Sequence, residues 1–275
     1  MDKEQEEMQF LGLFGIYKES YKMIIAWRKI FTKITLSLIL PLSFIFLIHI
    51  EISDVLFRKI MHNSQEMIET PQGTPQYNKL SDMVSSEWVT FFLFKIVYFT
   101  FLLIFSLLST SAVVYTVASI YTSREVTFKK VMSVVPKVWK RLMLASVVSV
   151  LEESYGFQAM KKSKDLIKGK MWLSVIIFLM LNISFFLVQF LFKNFVVHGW
   201  RVSSLDRTAY GLLCFLLLSH LFLFGLVIQT VLYFVCKSYH HQNIDKSALS
   251  DHLEVYLGEY EPLTAKDVQL EQYQV

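Results

Sequence analysis

The chain has 275 residues, 54% of them hydrophobic and 15% aromatic, and its mean hydropathy is +0.44. The apolar residues lie in long uncharged runs, which excludes an ordinary soluble domain and indicates bilayer-spanning helices. A net charge of +4 gives no reason to expect nucleic acid as a partner, and the two cysteines, Cys214 and Cys236, lie in one apolar run rather than in a disulfide-bearing loop.

The N-terminal segment, residues 1–33, is predicted to be cytoplasmic and to carry an interfacial helix. Residues 10–34 mix aromatic and aliphatic side chains with Lys and Arg, as expected of a helix lying on a leaflet. The alternative is a helix packed beneath the bundle. Both interpretations place Trp27 at headgroup level.

The first predicted span is residues 34–50, an uncharged run just long enough to cross about 30 Å of hydrocarbon. Pro41 lies within it and favours a kink, because proline lacks an N–H and its ring clashes with the preceding turn. Ser43 could help to satisfy the backbone there.

The connection from Glu51 to Glu87 is too short to fold as a catalytic domain. Its Thr-Pro-Gln-Gly-Thr-Pro sequence, residues 70–75, predicts a turn between two short amphipathic stretches. His49, Glu51 and His62 are close in sequence, but no tight ligand spacing such as HExxH is present. We therefore predict no metal site.

The second predicted span is residues 96–120, inside an apolar run that is longer than a bilayer requires. Lys95 is expected to extend its ammonium into the headgroup layer, and the alternative is a buried functional lysine. Small residues recur at offsets of three and four and predict a helix-packing face. These are Ser109, Ala112, Thr116 and Ser119.

The third and fourth predicted spans are residues 171–192 and 210–236, neither of which contains an acidic or basic residue in its apolar core. Asn182 and Gln189 lie seven residues apart on one helical face, and His220 and Gln229 lie in the last span. We expect these side chains to form hydrogen bonds between helices. A solute pathway is the alternative.

The fold class that follows is all-α, a polytopic transmembrane helix bundle of about four spans, with residues 34–236 as the bundle. Lys and Arg are concentrated before the first span, between the second and third spans, and after the fourth. Because cytoplasmic segments retain such an excess, both termini are predicted to be cytoplasmic. Residues 237–275 are predicted to be a flexible tail.

A basic cluster directly precedes the third span and is predicted to contact anionic lipid, at roughly 1 kcal/mol per cation. Fixing the topology is an equally good explanation of the same residues. The cluster consists of Lys161, Lys162, Lys164, Lys168 and Lys170.

The same region carries a pattern E-x-x-x-G-x-x-A-[LM]-x-x-S-x-x-L-x-K-G, formed by Glu152, Gly156, Ala159, Met160, Ser163, Leu166, Lys168 and Gly169. With WRKIFTKITLSLILPLSFIFL, VMSVVPKVWKRLM and VYLGEYEPL elsewhere, it resembles a family of plant multi-pass membrane proteins of unknown function. That family is more distantly similar to the membrane domain attached to some bacterial glycerophosphodiester phosphodiesterases. The resemblance brings no catalytic residues, because the phosphodiesterase activity belongs to a separate soluble domain.

Relatives of this kind carry a further hydrophobic stretch between the VWKRLM-like and LASVVSVLEE-like segments, whereas in this chain the two are fused at Leu144. The resemblance therefore implies a shortened form that lacks spans between Met143 and Ala145. Loss of two spans preserves the downstream orientation, in agreement with the lysine distribution.

In the tail, Tyr260 and Leu263 fit a Tyr-x-x-apolar sorting signal, and an unstructured or docked tail is the alternative. No catalytic, cofactor-binding or metal-binding residues are predicted. The leading hypothesis is a non-enzymatic protein of the endomembrane system or plasma membrane that organises lipids, other membrane proteins or trafficking through a basic cytoplasmic face. A small-solute transporter or channel and a membrane-embedded lipid-modifying enzyme are the alternatives.

Overall fold

The computed structural model describes residues 10–122, 127–133, 168–199 and 203–239, and every regular element within them is helical. Six helices are labelled in chain order: α1 (Leu13–Ala26), α2 (Arg28–Ile34), α3 (Leu40–Glu69), α4 (Pro75–Tyr121), α5 (Met171–Phe192) and α6 (Ser204–Tyr239). A further short helical stretch covers residues 128–133.

Among the described residues, four helical segments are long and apolar enough to cross a membrane, in agreement with the predicted all-α bundle of about four spans. They are Arg28–Glu69, Pro75–Tyr121, Met171–Val197 and Ser204–Tyr239. Each extends beyond its predicted span, because a helix continues past the apolar run wherever its polar flanks find partners or caps.

The helices α3 and α4 form a long antiparallel hairpin whose tip is the predicted turn. Gly73 has a φ of 87°, a left-handed conformation that glycine adopts without a Cβ penalty. Thr74 then caps α4, its Oγ1 accepting a hydrogen bond from the Tyr77 amide at 3.2 Å. With 47 residues, α4 is about 70 Å long, so the hairpin tip projects well beyond the apolar part of the bundle.

The expected irregularity near Pro41 takes the form of a π-helical turn, Thr35–Ile39, between α2 and α3. The Leu40 amide bonds the Thr35 carbonyl, five residues back, and this wider turn accommodates the proline that follows. Ser43 donates to the Ile39 carbonyl at 2.9 Å, four residues back along the chain, rather than to a carbonyl that Pro41 leaves free. A second π-helical turn, Lys193–Val197, extends α5.

The bundle is organised around α6, which contacts α1, α3, α4 and α5. Its last turns pack in the larger apolar core with α1, α2 and the end of α4, while Cys214 and Leu218 join α3 and α5 in a smaller core. A Cβ at Gly225 would lie 3.8 Å from a Leu181 methyl, an ordinary van der Waals contact, so α5 packs against α6 at this position.

The helix α1 combines features of both interpretations of the N-terminal segment. One face is buried against the bundle through Ile16, Ser20 and Met23, and the Tyr17 ring contacts the Phe224 ring at 5.7 Å. The opposite face exposes large apolar side chains, including Phe14. A helix packed on the bundle with an outer apolar face is suited to the membrane interface.

Candidate functional site

The two ends of the bundle differ in how their charges are arranged. The end that carries the 71–74 turn is called the hairpin end, and five ion pairs among the described residues lie there. They are Arg58–Asp54 at 3.0 Å, Lys59–Glu87 at 3.2 Å, His62–Glu66 at 3.3 Å, His198–Asp54 at 3.7 Å and Arg207–Glu51 at 3.0 Å. The Arg207–Glu51 pair joins the start of α6 to α3 at this end of the bundle.

Next to these pairs, Lys95 of α4 meets two polar side chains of α3. Its Nζ lies 2.7 Å from His49 Nε2 and 3.0 Å from Ser53 Oγ. His49 and Ser53 are four residues apart, so they share one face of α3. We call these three side chains the Lys95 cluster, and each of them is partly buried.

Aromatic rings surround the Lys95 cluster and hold its side chains in place. The His49 imidazole stacks on Tyr98 with ring centroids 3.5 Å apart, and it lies 5.7 Å from the parallel ring of Phe94. The Lys95 ammonium is 5.0 Å from the centroid of Phe91, a cation–π distance. The geometry of the cluster is therefore fixed by packing on both helices.

The hydrogen-bond chemistry of the Lys95 cluster makes it a donor site. An ammonium only donates, so His49 Nε2 and Ser53 Oγ accept from Lys95. The imidazole then carries its proton on Nδ1, and the Ser53 hydroxyl keeps its own hydrogen to donate. The remaining ammonium hydrogen and the Ser53 hydroxyl are therefore two neighbouring donors, while His49 Nδ1–H points away from the ammonium.

A serine beside a lysine also resembles a catalytic nucleophile with its general base. Ser53, however, lies in the interior of α3, where backbone amides are bonded to carbonyls four residues back. Those amides cannot also stabilise an oxyanion at Ser53. The arrangement of donors suits binding of an anion better than acyl transfer.

Sequence reasoning treated Lys95 and His49 separately and did not predict their contact. A signal was present, because His49 and Lys95 each lie 23 positions from Gln72 in the predicted turn. In a straight antiparallel helical hairpin, residues equidistant from the turn lie at the same level. Ser53 then follows from the four-residue spacing.

The residues considered for metal binding are not brought together. His49 bonds Lys95, Glu51 pairs with Arg207, and His62 pairs with Glu66. Within the described residues, no group of three or more His, Cys, Asp or Glu side chains could hold a metal ion.

At the opposite end of the bundle, here called the basic end, the described residues are mostly basic where they are charged. Glu19 is its one carboxylate in the described ranges, against ten Lys and Arg. The ten are Lys18, Lys22, Arg28, Lys29, Lys33, Lys129, Lys130, Lys168, Lys170 and Lys237. Most are exposed, and every ion pair given above for the described residues lies at the hairpin end.

A turn just before α5 joins three elements at the basic end. Gly169 has a φ of 98°, and a Cβ at this position would overlap Cε1 of Tyr239 and lie 3.1 Å from Cζ of the same ring. Lys170 donates to the Leu11 carbonyl at 3.3 Å, and its ammonium lies 5.6 Å from the Tyr239 ring centroid. We call Gly169, Lys170, Tyr239 and Leu11 the basic-end clasp.

The clasp separates two lysines that were predicted to contact lipid. Lys168 is exposed, whereas Lys170 is partly buried and bonded within the protein. Lys168 is therefore free to face a headgroup, and Lys170 holds α1 near the end of α6.

The predicted packing residues are placed differently from one another. The structure buries Ser109, Ala112, Thr116 and Ser119 on one face of α4. Asn182, by contrast, is exposed, and its amide donates to the Phe178 carbonyl of its own helix at 2.8 Å. Gln189 is partly buried. A helix seen only as a sequence does not show which of its faces meets a neighbour.

In the last span, His220 and Gln229 are both exposed. The His220 ring stacks on Phe224 of the same helix, with centroids 5.9 Å apart. Neither placement provides the interhelical hydrogen bond expected from the sequence, because both side chains point away from the packed faces of α6.

Several sequence-based predictions fall outside the described residues. They concern the motif residues Glu152, Gly156, Ala159, Ser163 and Leu166, the lysines Lys161, Lys162 and Lys164, the fusion at Leu144, and the tail residues Tyr260 and Leu263.

The chain matches the model of a family described as a domain of unknown function, DUF8558. The family model matches residues 1–145 and 143–273, and the two matches meet where the sequence analysis places the fusion at Leu144. No curated protein and no solved structure matches the chain. Since the matches cover nearly its whole length, the chain belongs to the DUF8558 family.

Proposed function

We propose that this DUF8558 protein is a non-enzymatic multi-pass membrane protein that binds anionic lipids at its basic end and thereby organises lipids or partners in the membrane. The observation that carries the proposal is the excess of exposed Lys and Arg over carboxylates among the described residues of that end. The described residues of the hairpin end, by contrast, mix charges of both signs, as an ordinary protein exterior does.

The physical basis is the attraction of cations to an anionic leaflet. Each Lys or Arg near such a surface contributes roughly 1 kcal/mol. Arg28 and Lys29 are exposed at the start of α2, and Lys129 and Lys130 are exposed on the 127–133 segment. The lysines of residues 161–168 extend the same basic sequence.

We also propose that the basic end is cytoplasmic, which places both termini in the cytoplasm. The excess of Lys and Arg at that end supports this orientation. The compartment would be the endomembrane system or the plasma membrane. In sealed microsomes, a thiol label should then reach a cysteine introduced at Lys29 but not one introduced at Gly73.

The sequence motif ending at Lys168 and Gly169 supports a narrower relationship, to plant multi-pass membrane proteins and, at greater distance, to the membrane domain of bacterial glycerophosphodiester phosphodiesterases. Gly169 has a conformational requirement of its own in the basic-end clasp, since its φ is 98°. The motif thus supports a shared membrane scaffold without a shared reaction.

The proposal is tested by measuring lipid affinity for the full chain in detergent micelles, by native mass spectrometry with phosphatidylserine and phosphatidylcholine. The double variant Arg28→Gln/Lys29→Gln removes two exposed cations from the basic end. At roughly 1 kcal/mol each, its affinity for phosphatidylserine should fall about thirtyfold at low ionic strength.

The matched control is Lys79→Gln/Lys193→Gln, which removes two exposed cations at the hairpin end. Its affinity for phosphatidylserine should stay within a few-fold of wild type. Equal losses in the two double variants, or equal wild-type affinity for phosphatidylcholine, would contradict the proposal.

A further inference from the structure

The Lys95 cluster contains a cation that no carboxylate of the described residues neutralises. The three carboxylates nearest in sequence to His49 and Ser53 or to Lys95 have other partners. Glu51 pairs with Arg207, Asp54 with Arg58 and His198, and Glu87 with Lys59 and Asn63. A partly buried ammonium with only neutral ligands favours an external anion.

Two neighbouring donors of the cluster suit a tetrahedral oxyanion. Lys95 has one ammonium hydrogen beyond those given to His49 and Ser53, and the Ser53 hydroxyl, whose Oγ lies 3.0 Å from Lys95 Nζ, has one more. Phosphate oxygens accept such charge-assisted bonds strongly. The cluster therefore matches phosphate chemistry.

The surroundings of the cluster point to a lipid rather than to free phosphate. Large apolar side chains next to it in sequence are exposed on both helices of the hairpin: Ile48, Ile52, Phe92, Ile96 and Phe99. A polar group framed by exposed apolar surface fits an amphiphile, whose headgroup meets the donors while its acyl chains cover the apolar side chains.

The position of the cluster along the bundle fits the same ligand. Lys95 is the residue at which the uncharged part of α4 ends. On α3, His49 lies two residues before Glu51, which pairs with Arg207 near the start of α6. The cluster therefore lies at the boundary between apolar and charged surface, the level at which phosphate groups of a bilayer are found.

We propose that Lys95, His49 and Ser53 form a binding site for the phosphate of a phospholipid headgroup at the hairpin end, separate from the basic end. Lys95 supplies the charge and Ser53 supplies a further donor. His49 accepts from Lys95 through Nε2 and so orients the ammonium, and Tyr98, Phe94 and Phe91 hold these side chains in position. The site is distinct from the proposed function, which concerns the opposite end of the bundle.

The test uses the Arg28→Gln/Lys29→Gln protein as background, so that loss of lipid binding at the basic end does not obscure the result. Native mass spectrometry would measure binding of dioleoyl phosphatidate, dioleoylglycerol and inorganic phosphate. The variant Lys95→Met keeps the apolar stem and leaves only neutral partners behind. Lys79→Met, an exposed lysine of the same helix, is the matched control.

We expect Lys95→Met to weaken phosphatidate binding by about ten- to a hundredfold, the range for loss of a hydrogen bond to a charged group. Ser53→Ala, which removes one donor and leaves the charge, should weaken it by a smaller factor, about threefold to tenfold. Lys79→Met should bind as its parent does. Circular dichroism and gel filtration would show that each variant is folded.

Three results would overturn the proposal. Equal phosphatidate affinity in Lys95→Met and Lys79→Met would remove the cluster from binding. Equally tight binding of dioleoylglycerol would show that the phosphate is not recognised. Inorganic phosphate binding as tightly as phosphatidate would identify a free-phosphate site instead of a lipid site.

Discussion

Replacing Gly169 by alanine tests the structural explanation of the basic-end clasp. An alanine at a φ of 98° is strained, which costs about 1–2 kcal/mol. Its Cβ would also overlap the edge of the Tyr239 ring, so the ring must move. A displaced ring loses its cation–π contact with Lys170, at about 0.5–1 kcal/mol for a partly exposed pair.

The expected destabilisation by Gly169→Ala is therefore about 2 kcal/mol. The chain provides a matched control in Gly73, which also has a positive φ, of 87°, but where an added Cβ would meet no heavy atom within 4 Å. Gly73→Ala carries the strain without the clash, so its cost should be nearer to 1 kcal/mol, at roughly the lower end of the range for this backbone conformation.

The assay is equilibrium unfolding in mixed micelles, followed by circular dichroism as the mole fraction of sodium dodecyl sulfate rises. A double-mutant cycle with Tyr239→Ala isolates the clash, because removing the ring restores the space and leaves the strain. In that background, the effect of Gly169→Ala should fall to the level of Gly73→Ala.

Two results would refute this reasoning. If Gly169→Ala were as stable as wild type, the left-handed turn would not constrain the clasp. If Tyr239→Ala failed to reduce the effect of Gly169→Ala, the contact with the ring would not be the source of the added cost.

Two further predictions concern helix packing in the bundle. Ala112→Leu inserts a larger side chain into the buried face of α4 and should lower the unfolding free energy by about 1–3 kcal/mol. The control Val114→Leu, on the exposed face, should change the unfolding free energy by about 0.5 kcal/mol or less. Equal effects would show that the buried face is not closely packed. Asn182→Leu should also change the unfolding free energy by about 0.5 kcal/mol or less, because within the described residues the exposed amide bonds only its own helix. A loss above about 2 kcal/mol would indicate an interhelical partner instead.

The features of the fold that could be predicted from the sequence are those determined by local composition. Uncharged runs identify four spans, and Pro-Gln-Gly-Thr identifies the hairpin turn, because run length and turn chemistry are properties of consecutive residues. The ends of the helices are harder to predict from the sequence. The helix α3, for example, continues to Glu69 through polar residues that find partners across the hairpin, such as Asn63 with Glu87.

Which face of each helix is buried in the bundle could be predicted only in part. Ser109 and Ala112 lie on the buried face because small residues permit close approach, whereas Asn182 was expected to meet a neighbour and is exposed. A single polar residue does not determine which side of a helix is covered. The covered side of a helix depends on every other helix in the bundle. The Lys95 cluster could be predicted only by considering two segments that are distant in sequence, α3 and α4, together.

The length of α4 has a mechanical consequence. A continuous helix of 47 residues is a stiff rod, and α3 is the helix with which it packs most extensively in the described part of the chain. Rotation by about 10° around its midpoint would displace each tip by about 6 Å, since each arm is about 35 Å long. Force applied to the hairpin tip would thus be delivered as lateral movement to the Thr116–Tyr121 turns, at the other end of the helix, without any unfolding in between.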